Sequence, residues 1–467
     1  MQKNTTDNAV ATPADSRYKY QVGTLRYTMA GLVIVSGWMI WGGICFNFMQ
    51  GVFGTLMPLQ LNEIKASPMA MTLLISTIPA VLAFVLVPII SFKSDRCRSR
   101  WGRRKPFIIL TAPFLVIALG LLGYVRQIFQ YISAHPETVA RFHLSPLNAS
   151  LVVIGVLVAV FMFFDDFVNS VAWYLVADVI PQNVMGRYNA VAGLIGTGAG
   201  MLWNGFVMKY CTPDYALYIY WGVALLYLFG YGLMCLFVKE GEYPPVAADA
   251  KRKNRFAGIA VFFQECFGHP MYMALFLFTG AWAITNACGT FRILWSTQTV
   301  GLSMAQLGMI GLYCGPITMI LAIPVGYVVD RFTPMRVLIA ATVLIIPVTL
   351  ANLLVHNFTS ALIVALVNLP IISLWDATTQ PLMIQILPKA KYGQFCSANS
   401  MVRSIIRICA PIAGAVYVGW MNRRWESIFY WQCGWMLVAF GFLLYLYAQF
   451  RKHGGPYNYV APEPKME

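Results

Sequence analysis

Charged residues are scarce in this chain of 467 residues: they make up 11% of it, whereas hydrophobic residues make up 59%. Such a composition cannot surround a globular core with a polar surface, which excludes an ordinary soluble fold. Because a membrane-spanning helix needs about 20 apolar residues, the apolar segments predict an all-α integral membrane protein with twelve transmembrane helices. Those segments are, roughly, residues 28–57, 67–92, 107–125, 149–177, 188–208, 216–238, 270–299, 306–329, 335–355, 359–387, 395–420 and 427–449.

Cysteine and histidine occur without any pattern typical of a site. The ten cysteines are scattered with no CxxC or Cys/His spacing, so neither a metal site nor a disulfide framework is expected. The five histidines fall in loops or at helix ends, which excludes a histidine proton relay within the membrane. No nucleophile–base arrangement or phosphate-binding loop is present, so we expect neither an enzyme nor a cofactor.

Acidic residues are also few, 18 against 33 lysines and arginines. The basic residues concentrate in loops on one side of the predicted helices, above all in residues 93–106, which is the positive-inside pattern. We therefore expect both termini, residues 1–26 and 451–467, to be cytoplasmic, and the membrane to be the plasma membrane, or the inner membrane of a bacterium. Residues 1–26 lack an apolar signal region, so the first helix is expected to direct insertion. Membrane lipids, and not nucleic acid, are the expected partners of the basic residues.

An internal repeat divides the chain. Pro181 and Gly186 recur as Pro388 and Gly393, both 207 residues later. The dipeptide Asp-Arg at 95–96 in the first half recurs at 330–331 in the second half. The repeat predicts two pseudo-symmetric six-helix bundles, residues 27–238 and 270–450. A cytoplasmic linker, residues 239–269, joins them, and its segment 256–267 is predicted to be an amphipathic helix.

The loop between the second and third helices carries a recognisable motif. It reads Ser94-Asp95-Arg96-Cys97-Arg98-Ser99-Arg100-Trp101-Gly102-Arg103-Arg104-Lys105-Pro106. In a chain of twelve helices in two halves, this loop resembles the glycoside-pentoside-hexuronide:cation symporter family of the major facilitator superfamily, and most closely its sucrose–proton symporter branch. Asp166-Phe-Val-Asn169 on helix four is similar to the Asp-x-x-Asn of that branch. The resemblance implies the major facilitator fold and proton-coupled sugar transport. Sodium-coupled members place paired aspartates on helix two, and residues 69–92 contain none.

The same loop can act as a conformational gate. In one conformational state of the protein an aspartate can bind an arginine or a helix N-terminus, and in another state it can release that partner. A glycine permits the tight turn before the third helix. The alternative is that the loop is not a gate and that its basic residues only set the orientation of the protein in the membrane. The gate residues predicted from the two halves are Asp95, Arg96, Gly102, Arg103, Asp178, Arg187, Asp330 and Arg331.

The predicted helices contain few charges: Asp165, Asp166, Asp376, Arg292, Arg403 and Arg407. Each costs about 2.5 to 3.5 kcal/mol at mid-membrane when unpaired, so we expect one charge network or a hydrated cavity. Similar depth favours an ion pair between Asp376 and Arg407. Asp165 and Asp166 would then bind the transported proton, because two adjacent carboxylates cannot both be satisfied beside one arginine. The alternative is that these charges only hold helices together.

Polar and indole side chains within the helices predict the substrate site. Amides and carboxylates bind sugar hydroxyls, and an indole packs on the apolar face of a pyranose. The predicted substrate contacts are Asn47, Gln50, Asn169, Trp173, Asn204, Asn286, Trp375, Asp376, Thr379 and Gln380. For any single amide, helix packing is an equally good explanation.

The function predicted from these features is proton-coupled symport of a sugar or glycoside by alternating access, carried out by a monomer. Sodium-coupled sugar symport, transport of a lysolipid or other amphiphile, and a transport-inactive membrane receptor are the alternatives. Residue types alone define neither the substrate nor the direction of transport.

Overall fold

The computed structural model describes residues 19–137, 143–241, 262–388, 391–455 and 459–462, and it leaves out the side chains of residues 91, 92, 95 and 96. These residues form twelve helices that are long and apolar enough to cross a membrane, so the predicted number of spans is confirmed. The helices are α1 (Met29–Glu63), α2 (Pro68–Ile90), α3 (Lys105–Ala134), α4 (Pro146–Val179), α5 (Gln182–Tyr210), α6 (Ala216–Phe237), α7 (Pro270–Thr299), α8 (Met304–Phe332), α9 (Pro334–Leu354), α10 (Phe358–Ile386), α11 (Tyr392–Trp420) and α12 (Ser427–Lys452).

Some boundaries differ from the predicted ones. α1 continues to Glu63, and α3 passes through a short 3-10 turn into an amphipathic helical segment, Val125–Ala134, that the sequence assigned to an outward loop. A two-stranded antiparallel hairpin, β1 (Tyr20–Val22) and β2 (Leu25–Tyr27), precedes α1, so the fold is nearly, but not entirely, helical. In the linker, residues 262–267 are helical, whereas residues 242–261, which include the first half of the predicted amphipathic helix, lie outside the described part of the chain.

Local sequence signals explain where several helices begin. Ser67 precedes Pro68 and accepts a hydrogen bond from a backbone N–H of the first turn of α2. At the start of α8, Ser303 and Gln306 form a reciprocal capping box, and the same arrangement occurs at the start of α10. Such caps satisfy backbone N–H groups that have no partner within the helix.

The two halves repeat the same helix packing. In the first half α1 packs on α5 and α6, α3 packs on α4 and α6, and α2 packs on α4. In the second half α7 packs on α11 and α12, α9 packs on α10 and α12, and α8 packs on α10. Every pair therefore has a counterpart six helices later. The exact limits of the two bundles, 27–238 and 270–450, remain predictions.

The halves contact each other most closely at one end of the molecule, which carries the loops 64–67, 211–215, 300–303 and 421–426. We call this the outer end, and the opposite end, which carries the loop 97–104, the inner end. α5 meets α8 where Gly308 and Gly311 leave room for Asn204; a Cβ at either glycine would collide with Asn204. At the same end of the molecule Arg423, in the loop after α11, donates a hydrogen bond to the backbone oxygen of Ala66 (3.1 Å), in the loop after α1. The space between the halves is therefore closed at the outer end.

Candidate functional site: a cavity between the two halves

A cavity of about 730 Å³ lies between the halves and brings together ten of the predicted site residues. Its walls come from α1, α2 and α4 of the first half and from α7, α10 and α11 of the second. The predicted residues that line it are Gln50, Asp165, Asp166, Asn169, Asn286, Trp375, Asp376, Thr379, Arg403 and Arg407. Its volume is within the range of about 300 to 1,000 Å³ that is common for small-molecule sites.

The wall formed by α4 carries two carboxylates and an amide. Asp165 is 5% exposed and Asp166 is half-buried. One oxygen of each, Oδ1 of Asp165 and Oδ2 of Asp166, is buried and accepts no hydrogen bond from the residues that the structure describes. Asn169 follows one turn later and lines the same cavity. Because an unpaired buried carboxylate is costly as an anion, this wall is suited to binding a proton or another hydrogen-bond donor.

The opposite walls carry one acid and two bases. Asp376 and Thr379 come from α10, and Arg403 and Arg407 come from successive turns of α11. The expected ion pair between Asp376 and Arg407 is wrong: within the described residues, neither side chain forms an ion pair. The physical reason is that α10 packs on α8 and α9 while α11 packs on α7, so equal depth does not bring these two side chains together.

Two stacked indoles form part of the second half's wall. Trp282 of α7 lies parallel to Trp375 of α10, with ring centroids 3.7 Å apart and an interplanar angle of 16°. The Nε1 of Trp375 is buried and has no hydrogen-bond partner among the described residues. Sequence reasoning missed Trp282, because a tryptophan in an apolar helix gives no signal that separates cavity lining from core. Trp282 covers one face of Trp375, so a sugar ring cannot stack on that face. Trp282 is therefore itself a candidate for contact with a sugar ring.

Two predicted contacts, Asn47 and Trp173, lie in a second cavity of about 570 Å³ within the first half. The second cavity lies between α1, α4, α5 and α6 and adjoins the first at Asn169, which lines both. Trp173 is 65% exposed. The amide of Asn47 donates one N–H to the backbone oxygen of Gly43 (2.9 Å), so its second N–H and its side-chain oxygen remain available to a ligand.

Three predicted site residues lie elsewhere. Asn204 packs against the glycines of α8 at the outer end and serves the contact between the halves. Gln380 is exposed and does not line the described cavities between or within the halves. Arg292 lines a small separate cavity in the second half, so its assignment to one network with the three aspartates is wrong.

Three of the predicted gate residues, Gly102, Arg103 and Asp178, lie together at the inner end of the first half. Asp178, at the inner end of α4, accepts hydrogen bonds from Arg103 (Nε to Oδ2, 2.9 Å) and forms a second ion pair with Arg104 (Nε to Oδ2, 3.1 Å). Arg104 is 5% exposed and also donates to Ser94 Oγ. These contacts fix the loop before α3 to the end of α4.

Glu240, which sequence reasoning missed, completes this cluster. Its carboxylate accepts hydrogen bonds from the backbone N–H groups of Arg103 (2.8 Å), Arg104 (3.1 Å) and Lys105 (2.7 Å), at the N-terminus of α3. A carboxylate is favoured there by the helix dipole. Gly102 adopts a φ of +107° beside it. We call the set of Arg103, Arg104, Asp178, Glu240 and Gly102 the inner-end cluster.

Three other predicted gate residues lie apart from the inner-end cluster. Arg187, Asp330 and Arg331 are exposed, and Arg331 hydrogen-bonds Tyr327 of its own helix (3.2 Å). The side chains of Asp95 and Arg96 lie outside the described part of the structure. A gate that joins the two halves through these residues therefore stays a prediction.

Comparison with known proteins identifies the family. The sequence profile of the Major Facilitator Superfamily matches residues 39–411. The chain belongs to this superfamily. Its members are transporters and not enzymes, and the twelve-helix fold agrees with that assignment.

Curated relatives match over short segments only. The chain is 26% identical to sucrose transport protein SUT1 of rice (Oryza sativa subsp. japonica) over 162 residues, which cover 34% of this chain and 29% of the rice protein. It is 37% identical to human proton-associated sugar transporter A over 87 residues, which cover 18% of this chain and 11% of the human protein. The alignments thus span less than a third of each of these relatives.

Solved structures confirm the fold. A bacterial homologue of the human lysosomal transporter Spinster, in an inward-facing and occupied conformation, aligns with a TM-score of 0.64 at 12% identity, covering 92% of this chain and 98% of that protein. A D-xylose–proton symporter aligns with a TM-score of 0.58 at 14% identity, with the same coverage. At these identities the likeness concerns the fold alone.

Proposed function

We propose that this transporter carries a sugar or glycoside together with a proton by alternating access. The observation that supports this most is the cavity between the halves, where the paired carboxylates of α4 share one space with amides, indoles and the arginines of α11. The relatives named as sucrose and proton-associated sugar transporters, and the sequence motif of the loop before α3, favour the same substrate class.

The proton would bind at Asp165 and Asp166. Both have a buried oxygen without a partner, and among the described residues neither forms an ion pair. Closing the cavity around a charged, unpaired carboxylate would be costly. Closing the cavity around a protonated carboxylic acid avoids that cost. Proton binding would therefore permit the halves to exchange between their two orientations.

The sugar would bind between the same walls. Gln50, Asn169, Asn286 and Asp376 offer the amide and carboxylate groups that pair with hydroxyls, and the indole of Trp282 can pack on the apolar face of a pyranose. Because these groups come from both halves, substrate binding would depend on how the two halves are oriented relative to each other.

The membrane orientation is proposed from the positive-inside pattern: a plasma-membrane protein with both termini cytoplasmic. With that orientation, the outer end is extracellular, and the closed outer interface makes this conformation inward-facing. The gate residues would hold the inner end together in the alternate, outward-facing state.

The test is uptake of labelled mono- and disaccharides into proteoliposomes, with an inward proton gradient, a sodium gradient or neither. A pH difference of one unit allows accumulation of about tenfold for each proton coupled. We expect proton-driven accumulation of at least one sugar, and its loss in the Asp165→Asn/Asp166→Asn double variant. Asp214→Asn, at an exposed acid of the outer end, is the matched control. Undiminished proton-driven accumulation in the double variant would refute the role of these aspartates, and sodium-driven uptake would refute proton coupling.

Transport of an amphiphile is a second candidate, and the second cavity favours it. That cavity is lined mainly by apolar and aromatic groups and adjoins the polar cavity at Asn169. The same vesicles separate the two candidates: competition by a lysolipid, with no uptake of any sugar, would favour the amphiphile.

A further inference from the structure

Arg292 is an intramembrane arginine that the proposed transport mechanism does not use. It lies in a short helical segment of α7, Arg292–Leu294, between a 3-10 segment and a π-helical segment. Within the described residues it forms no ion pair, and the three intramembrane aspartates line a different cavity. A positive charge at membrane depth is costly without a counter-charge, so an arginine placed there usually has a partner.

Arg292 lines a small pocket whose walls are mostly apolar, and part of its own side chain is exposed. A cavity of about 140 Å³ lies between α7, α8, α9 and α10, near the outer end. Besides Arg292 its polar lining consists of Ser296, Asn352 and Asn368. At about 30 Å³ for each water-sized group, it has room for roughly four or five such groups. This space is too small for a disaccharide and suits a small ion with a few waters.

The lining offers donors and no acid. Asn368 makes no hydrogen bond within the part of the chain that the structure describes, so its amide N–H groups are available. Asn352 already uses its amide N–H groups on the backbone oxygens of Val348 (3.2 Å) and Thr349 (3.1 Å). The available donors of the lining are therefore the guanidinium of Arg292 and the amide nitrogen of Asn368, and the positive charge of the guanidinium favours an anion over a cation.

We infer that the cavity beside Arg292 binds a small monovalent anion, such as chloride or a short carboxylate. The anion supplies the missing counter-charge of Arg292. The segment Arg292–Leu294 also contacts α1 of the first half, so the bound anion stabilises the second half next to the closed outer interface. The inference does not depend on the transported substrate or on proton coupling.

Thermal unfolding of the full-length protein in detergent tests this inference without any transport assay. The unfolding midpoint is measured in sodium chloride, sodium acetate and sodium gluconate at equal concentrations, because gluconate is too large for the cavity. We expect chloride or acetate to raise the midpoint above its value in gluconate, saturably and by about 2 °C or more. The absence of such a difference in the wild-type protein would overturn the inference.

Two variants separate this site from a general effect of salt. Arg292→Gln should abolish the anion-dependent shift, whereas Arg336→Gln, at an exposed arginine at the start of α9, should retain it. An equal shift in Arg292→Gln and wild type would overturn the inference. If Arg292→Gln does not yield folded protein, Asn368→Leu serves instead: it removes the second donor and fills the cavity, and an unchanged shift in that variant would overturn the inference equally.

Discussion

The close approach of Gly102 to Glu240 yields a quantitative prediction for the inner-end cluster. A Cβ at residue 102 would lie 2.5 Å from Cδ of Glu240, and the backbone there has a φ of +107°, which L-residues rarely adopt. Gly102→Ala must therefore strain the backbone and displace the carboxylate from the N-terminus of α3. Strain of this kind costs about 1 to 3 kcal/mol, and losing hydrogen bonds to a charged group costs about 1.5 to 3 kcal/mol. We expect a total loss of about 3 to 5 kcal/mol in the free energy of unfolding.

A double-mutant cycle separates the two causes. In a Glu240→Ala background, Gly102→Ala has no carboxylate to displace, so only the strain of about 1 to 3 kcal/mol should remain. Gly301→Ala is the matched control, because Gly301 also has a positive φ (+76°) but nothing within 4 Å of the added Cβ. The assay is denaturant unfolding of the purified protein in detergent. Additive effects of the two substitutions, or equal losses for Gly102→Ala and Gly301→Ala, would refute the reasoning.

Three further predictions concern other parts of the molecule. Asp178→Asn removes the carboxylate that pairs with Arg103 and Arg104 and should reduce the free energy of unfolding by about 3 to 5 kcal/mol, measured by the same denaturant assay. Gly308→Ala should obstruct closure of the outer end and reduce transport severalfold while the protein stays folded, whereas Gly326→Ala on the same helix, with open space around it, should transport normally. Trp282→Ala should raise the KM for sugar about tenfold, and Trp420→Ala, at a 77% exposed indole, should not; equal KM values would contradict the indole's role.

Features set by composition and helical periodicity could be predicted from the sequence. Twelve spans follow from the length of the apolar segments, and the shared packing of the halves agrees with the repeat. Asp166 and Asn169 are nearly one turn apart on α4, and Arg403 and Arg407 are one turn apart on α11, so each pair shares a helix face. The structure places both pairs in the cavity between the halves.

Features that depend on the relative rotation of helices could not be predicted. Asp376 and Arg407 have similar depths, but depth does not determine the direction in which two side chains point. Arg292 lies between irregular helical segments, where regular periodicity fails. Trp282 needs a stacking partner from another helix to be recognised, and Glu240 contacts residues about 135 positions earlier in the chain. Sequence spacing carries no signal for such distant contacts.

The carboxylates of Glu240 and Glu265 attach the two ends of the linker to opposite halves of the protein. Glu240 binds the N-terminus of α3 in the first half. Glu265 binds Lys391 (2.6 Å) and Gln394 (2.8 Å) at the start of α11 in the second half, and these bonds lower the pKa of Glu265. The chain between these attachments includes the 20 residues 242–261, which could span about 70 Å if fully extended. In the proposed transport cycle the linker would therefore stay attached to each half at one end, and the chain between Glu240 and Glu265 would follow the movement of the halves.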